Sequence, residues 1–274
     1  MNLRLRTEGL RTPDSSEPRL PSGWHPSRVE APKGAVLVSH GLNCSPGAMG
    51  AFVEVLTRAG FHVLQLAFRT CRAPAERSSF HELWLEDFAA GYARLRELSQ
   101  GLPRYHLGFS LGGLVGTAFL QRDPAARFER VVLLAPALSL RPAASILRLL
   151  VPLGSLGLSL PSFCPARYRN RRSTPLAEYR ALLRLVREVE DLRPGTGAAT
   201  IPTKVLMEPR DELVSYRGVK RWVQRNGSPG WCLELVRLDR QLGLRRPHLL
   251  LDELAVGSSC WARLTREILE HFEG

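Results

Sequence analysis

From residue 34 onward the chain alternates between short, almost continuous apolar runs and longer amphipathic stretches. "GAVLVSH" (34–40), "FHVLQLAF" (61–68), "RYHLGF" (104–109), "RVVLLAP" (130–136), "TKVLME" (203–208) and "CLELVRL" (232–238) have the length and aliphatic content of buried strands. Between them, apolar positions recur at helical spacing over 48–60, 81–99, 111–123, 215–225 and 259–272, and the first of these ends on Gly60. Strands that lack polar alternation are buried on both faces, and strands separated by helices run parallel. The pattern predicts an α/β fold with a mostly parallel central sheet flanked by helices.

Two segments break the rhythm. Residues 1–33 are rich in Pro, Ser and Arg and predict an extended N-terminal arm with little structure of its own. Residues 137–200 are apolar but punctuated, with "ILRLLVPLGSLGLSLPSF" interrupted by Pro152, Gly154, Gly157 and Pro161. That stretch is too apolar for a solvated loop and too broken for one long core helix. An amphipathic helix follows over 177–192, with Leu182, Leu185, Val186 and Val189 on one side. An insertion of this kind between two core strands reads as a helical cap. The expected organisation is therefore an arm (1–33), a core (34–136 and 201–274) and a cap or lid (137–200).

The candidate chemistry lies at one strand-to-helix junction. "HLGFSLGGLVG" carries Ser110 inside a G-x-S-x-G pattern, with Gly108 and Gly112 on either side. Glycines belong there because a strained serine backbone brings its neighbours into close approach. A serine hydroxyl needs a base, and the base needs an acid to orient it. At such an elbow the chain order is serine, acid, histidine. Only His248 and His271 lie beyond the last core strands; His271, near the end of the terminal helix, reads as a solvated residue. His248, in the loop "RRPHLLLDE", is the candidate base. For the acid, "KVLMEPRDELVS" offers Glu208, Asp211 and Glu212. Asp211 stands clear of the strand end and is preferred, with Glu212 next; the competing structural role for Asp211 is an N-cap for the following helix. The developing oxyanion needs N–H donors. Leu111 supplies one at the positive end of its helix. The loop "SHGLNCSPG" (39–47) supplies the other from Leu42, with Gly41 permitting a tight turn. His40 precedes the serine in a loop that already has this role, and reads as structural.

"VLVSHGLN", "LGFSLGG", "RDELVS" and "HLLLDE", in this order across 34–273, resemble the α/β-hydrolase superfamily, most closely its bacterial carboxylesterase and monoacylglycerol-lipase-like branch. The resemblance implies Ser110 as nucleophile, Asp211 as acid, His248 as base, and Leu42 and Leu111 as oxyanion donors, without cofactor or metal. It implies a serine hydrolase that cleaves carboxylic esters through an acyl-enzyme, with an apolar acyl group. Acyl transfer, thioester cleavage and perhydrolysis use the same triad. A non-catalytic binding protein on this scaffold typically lacks a triad member, and here all three positions are filled. One departure stands out. Many relatives carry "D-x-R-G-x-G-x-S" after the second strand, a loop that borders the site, whereas this chain reads "AFRTCRAPAERSS".

Charge changes the picture little. The net charge is +12, and because Lys33, Lys204 and Lys220 are the only lysines, 35 of the 38 basic residues are arginine. That skew reads as a compositional bias and not as a nucleic-acid surface, since no groove-reading motif accompanies it. Arg167, Arg169, Arg171 and Arg172 form the one tight cluster, which leaves room for transient contact with an anionic membrane surface. The start, "MNLRLRTEGLRTPDSSEP", has no signal-peptide core, and no apolar run approaches the roughly 20 residues of a membrane span. Five scattered cysteines without a C-x-x-C pair read as free thiols in a reducing compartment. The expectation is a cytoplasmic enzyme acting on a small ester or lipid-like substrate.

Overall fold

A computed structural model describes residues 22–70, 79–142, 157–190, 197–238 and 246–274. Among the described residues the central sheet has seven strands. They are β1 (Ser22–His25), β2 (Gly34–Ser39), β3 (Phe61–Leu66), β4 (Arg104–Phe109), β5 (Arg130–Leu134), β8 (Thr203–Met207) and β9 (Trp231–Leu235). Two short strands, β6 (Ser159–Pro161) and β7 (Ser173–Pro175), pair with each other apart from that sheet. The order is β1-β3-β2-β4-β5-β8-β9, parallel throughout except that β1 runs antiparallel on β3. Every residue of β2 is buried, as the absence of polar alternation requires.

Among the described residues the helices are α1 (Gly50–Arg58), α2 (Phe80–Leu98), α3 (Leu111–Arg122), α4 (Leu176–Glu188), α5 (Tyr216–Asn226), α6 (Glu253–Val256) and α7 (Ser258–Glu273). In α7, Cys260, Leu264, Ile268 and Phe272 repeat every fourth residue and turn one stripe to the core, where Phe272 packs on Phe61 and Tyr105. Helix α3 is different: Leu111 to Leu120 are all buried, so it lies inside the molecule rather than on it.

The order of strands decides where a site can form. After β2 the chain moves to one side to make β3, and then returns to make β4 on the other side of β2. The segments leaving the carboxyl ends of β2 and β4 therefore diverge at a switch point, where open α/β sheets bind ligands. The "SHGLNCSPG" segment and Ser110 leave the sheet there.

The boundaries expected from the pattern hold to within a few residues, with two departures. Residues 22–25, assigned to the arm, form an edge strand in register with Leu66 to Val63, and Trp24 stacks on His62 at 5.0 Å. The helix expected from residue 48 begins as a 3₁₀ turn over Pro46–Met49, because a proline enters its first turn. The remainder of the arm (1–21), Cys71 with the adjoining loop (71–78), and the Pro152–Gly154 part of the insertion lie outside the described residues. Among the described residues no helix is long and apolar enough to cross a membrane.

Candidate active site

Ser110 closes β4 and opens α3 with φ 51° and ψ −109°, a conformation that an L-residue holds only under constraint. The constraint comes from both sides. Its N–H donates to the Leu134 carbonyl at 2.9 Å, and its own carbonyl accepts the Ala137 N–H at 3.1 Å. Backbone also touches backbone around it. A Cβ on Gly108 would stand 2.8 Å from Gly113 Cα, and one on Gly112 would stand 2.5 Å from the Ser39 carbonyl oxygen. Glycine is required at both positions to bring α3 against the sheet.

Ser110 Oγ lies 3.0 Å from His248 Nε2, and His248 Nδ1 lies 2.7 Å from Asp211 Oδ2. These three residues come from the ends of β4, β8 and the segment after β9, and 138 residues separate the serine from the histidine. The other oxygen, Asp211 Oδ1, accepts the N–H groups of Leu213 and Val214, each at 2.8 Å. With both oxygens serving as acceptors, the ring proton sits on Nδ1 and the Nε2 lone pair faces the serine hydroxyl. The helix-cap role weighed for Asp211 falls to Ser215, whose hydroxyl accepts the Gly218 N–H at 3.1 Å.

The other acids of "MEPRDELVS" are committed elsewhere. Glu208 is buried, which alone would raise its pKa. Hydrogen bonds from the Arg210 side chain (2.9 Å) and the Leu238 N–H (3.1 Å) outweigh the burial and hold it below the usual carboxylate range. Glu212 does not reach the imidazole ring. Its Oε2 accepts the backbone N–H of His248 at 3.0 Å.

His40 is buried beside the site, and burial pushes its pKa down to about 4 despite a hydrogen bond to the Gly41 carbonyl. Its Nε2 accepts the Phe68 N–H at 3.1 Å, so Nδ1 carries the proton to the Gly41 oxygen at 2.8 Å. A neutral His40 thus fastens the segment after β2 to the end of β3. His271, read as solvated, is half-buried instead and meets the Pro202 carbonyl at 3.4 Å. The turn after β2 also departs from expectation. Its left-handed residue is Asn43 at φ 53°, while Gly41 is needed because a Cβ there would sit 2.8 Å from the Phe109 ring.

Asn43 carries more than the turn. Its amide donates to Ser162 Oγ, the Arg171 carbonyl and Thr174 Oγ1 at 2.9, 2.9 and 3.0 Å, and its Oδ1 accepts the Arg171 N–H. On the opposite side of the insertion, the Arg141 side chain donates to the carbonyls of Asp211 and Pro209. The insertion is therefore tied to the loops that carry Leu42 and Asp211. No sequence pattern marked Asn43, Arg141 or the backbone contact of Glu212.

A cavity of about 400 Å³ opens over Ser110 and His248. Leu42, Phe109 and Val214 line it from the core side, and Leu140, Phe163 and Leu182 from the insertion. Leu111, with its N–H at the first position of α3, has no intrahelical acceptor. Among the described residues no cluster of His, Cys, Asp or Glu is arranged to hold a metal ion.

Residues 30–237 match the Hydrolase_4 family model, described as serine aminopeptidase, S33. Among solved structures, the chain resembles one of a pair of metagenome-derived lipolytic enzymes, with 20% identity, a TM-score of 0.69, and 94% of this chain and 99% of that one covered. It also resembles a soluble variant of monoglyceride lipase from Saccharomyces cerevisiae, at 11% identity and a TM-score of 0.74, covering 91% and 89% of the two chains. A monoacylglycerol lipase from Paleococcus ferrophilus aligns at 16% identity and a TM-score of 0.61, covering 91% and 98%. No protein of curated function matches the sequence. At these identities the structural likeness speaks for the fold. The family match spans most of the chain, so this protein belongs to the serine aminopeptidase S33 family and is a hydrolase of the α/β-hydrolase fold.

Proposed function

We propose that the protein hydrolyses carboxylic esters with an apolar acyl group. The observation that carries this reading is the unbroken hydrogen-bonded line Ser110–His248–Asp211 beneath an apolar cavity. In this reading Ser110 Oγ attacks the ester carbonyl as His248 Nε2 takes its proton, and Asp211 stabilises the imidazolium. The N–H groups of Leu42 and Leu111 receive the oxyanion, each worth about 3 kcal/mol in the transition state. His248 returns the proton to the departing alcohol, and a water molecule activated by the same imidazole releases the acid from the acyl-serine. Residues 137–200 act as the cap, since Leu140, Phe163 and Leu182 face the serine across the cavity.

The family description names a peptidase, and an aminopeptidase needs a free anion to hold the substrate ammonium. Among the described residues Glu212 is the acid that lines the cavity; its Oε2 is engaged by the His248 N–H and the wall around it is largely apolar, and this favours the ester reading. We place the protein in the cytoplasm, on the reduced thiols of Cys44, Cys164 and Cys232. The test is a panel of p-nitrophenyl esters of graded acyl length alongside aminoacyl p-nitroanilides, run with wild type and Ser110→Ala. Ester turnover and fluorophosphonate labelling that both vanish in Ser110→Ala support the reading. Labelling that survives the substitution, or turnover confined to the anilides, overturns it.

A further inference from the structure

We propose that Cys44 and Cys164 form a redox-active dithiol, which a hydroperoxide oxidises to a disulfide joining the Leu42 loop to the cap. The two sulfurs lie 3.5 Å apart although 120 residues separate them in the chain. Both side chains are buried, and both line the cavity above Ser110, so a reagent small enough to enter that cavity meets them. A disulfide bond is about 2.05 Å long, which leaves about 1.5 Å to close.

The backbones on either side are already held together. Ser45 N–H donates to the Tyr168 carbonyl at 2.7 Å, and Asn170 N–H to the Asn43 carbonyl at 2.8 Å. The backbones of Cys44 and Arg169 also pair in an isolated antiparallel β-bridge. The segments that must converge are thus pre-aligned, and the entropy of joining positions so far apart is met by folding.

The two thiols have unequal surroundings. The hydrogen bond from Cys44 lowers the pKa of Cys164, and the charges of Arg246 and Arg169 lower it further against the effect of burial. Cys44 is raised by that same hydrogen bond and by burial. In the proposed reaction Cys164, beside the charges of Arg246 and Arg169, is the attacking thiolate and Cys44 the resolving thiol. The Cys164 thiolate attacks one oxygen of the hydroperoxide. The O–O bond breaks, the other oxygen leaves as the alcohol (or water) with the thiol proton, and Cys164 becomes a sulfenic acid. Cys44 then attacks that sulfur, the S–S bond forms, and the sulfenic oxygen leaves as water with the Cys44 proton. Two thiols lose two electrons, and the hydroperoxide gains them.

The disulfide would tie the Leu42 loop to the cap covalently. That consequence for ester turnover rests on the proposed function; the cross-link itself does not. Purified protein is treated with hydrogen peroxide and digested without reductant. The expected product is a peptide pair joining Cys44 to Cys164, two hydrogens lighter than the reduced peptides and released by dithiothreitol. Cys44→Ser should stop at a Cys164 sulfenic acid that dimedone traps, whereas Cys164→Ser should leave Cys44 unoxidised over the same period. Ser110→Ala should form the same cross-link as wild type. Peroxide that yields sulfinic acid or intermolecular dimers without the 44–164 pair overturns the proposal. So does a sulfenic acid that accumulates on Cys44. If the cross-link forms in wild-type protein that cleaves no ester, the ester-hydrolysis reading fails and the dithiol stands. In the active enzyme, each protein's own oxidised-to-reduced rate ratio should fall several-fold for wild type and stay near one for both serine variants.

Discussion

Glu212 and His248 are joined through the backbone: Oε2 of Glu212 accepts the His248 N–H at 3.0 Å, while the neighbouring Asp211 takes the imidazole ring at 2.7 Å. Two consecutive carboxylates thus divide one histidine between them, one fixing its place and the other its ring. Asp211→Asn should lower kcat by about 10⁴-fold, the cost of presenting the wrong tautomer. Glu212→Ala should lower kcat roughly ten- to a hundredfold, as misplacement of a reacting group does, with KM little changed. Glu212→Gln keeps an acceptor oxygen and should stay near wild type. Steady-state kinetics of the three variants check the division. If Glu212→Ala costs as much as Asp211→Asn, the two roles are assigned the wrong way round.

The strain at Ser110 predicts a trade between stability and turnover. A serine at φ 51° and ψ −109° stores energy on the order of 1–3 kcal/mol. Glycine accepts this backbone, although it also gains freedom in the unfolded chain. Ser110→Gly should abolish ester hydrolysis and raise the melting temperature by roughly 2–4 °C for each kcal/mol released. Calorimetry on Ser110→Gly and Ser110→Ala separates strain from loss of the hydroxyl, because alanine keeps the strain. An equal shift in both variants would mean the backbone is not the source.

How much of this was legible in the sequence depends on the range of the interaction. The strands and helices were readable because burial on both faces leaves β2 and β5 as almost continuous aliphatic runs, and because α7 repeats its apolar stripe every fourth residue. The Ser110 junction was readable because backbone contact excludes every side chain larger than hydrogen at Gly108 and Gly112. Strand β1 was hidden, since "SGWH" has no alternation of its own and becomes a strand only by pairing on β3. Asn43 looked like one more polar loop residue. Its partners Ser162, Arg171 and Thr174 lie more than a hundred positions away, and no local spacing records them. The same distance concealed the meeting of Cys44 with Cys164.

Asn43 gives the next expectation. Each neutral hydrogen bond contributes about 1 kcal/mol net, and leaving buried partners unpaired costs more. Asn43→Gly keeps the left-handed turn but removes all of the side-chain contacts to the insertion. It should destabilise the protein by roughly 2–4 kcal/mol and weaken long-chain esters more than acetate. Denaturant midpoints and the acyl-length profile measure the two effects separately. A stable Asn43→Gly protein with an unchanged profile would show that the placement of the insertion does not depend on this residue.

Two buried histidines set an acid limit on stability. Burial lowers His40 from 6.5 to about 4 and His106 from 6.5 to about 3. Between these values and 6.5 the unfolded chain binds more protons than the folded one, so folding weakens as pH falls. The stabilisation is complete above 6.5 and is lost on approach to 4 and then 3. Each group contributes a slope of up to about 1.4 kcal/mol per pH unit within its window. Urea midpoints should decline from pH 6.5 downward with an unchanged m-value, and the decline should be shallower by one proton in His106→Leu. A flat profile between pH 6.5 and 4 would contradict the buried neutral imidazoles.

The apolar cavity makes a graded prediction about the substrate. A methylene moved from water into apolar surroundings contributes about 0.8 kcal/mol, or roughly a fourfold gain in kcat/KM when it is buried in the transition state. Across a series of p-nitrophenyl esters, kcat/KM should therefore climb about fourfold per carbon while the cavity fills, and level off once further carbons reach solvent. Leu182 lies on α4, facing Ser110 across a space of about 400 Å³. Leu182→Trp occupies part of that space from the cap side, away from the hydrogen bonds of Ser110, His248 and Asp211. The variant should keep the acetate rate, because the carbonyl and its surroundings are untouched, and should level off at a shorter acyl chain. Leu182→Ala should do the reverse and extend the climb, at a stability cost of about 2–5 kcal/mol for a buried leucine. Equal losses for acetate and long-chain esters in Leu182→Trp would mean that the substitution disturbs the reacting groups themselves. A profile identical to wild type in both variants would place the acyl chain elsewhere.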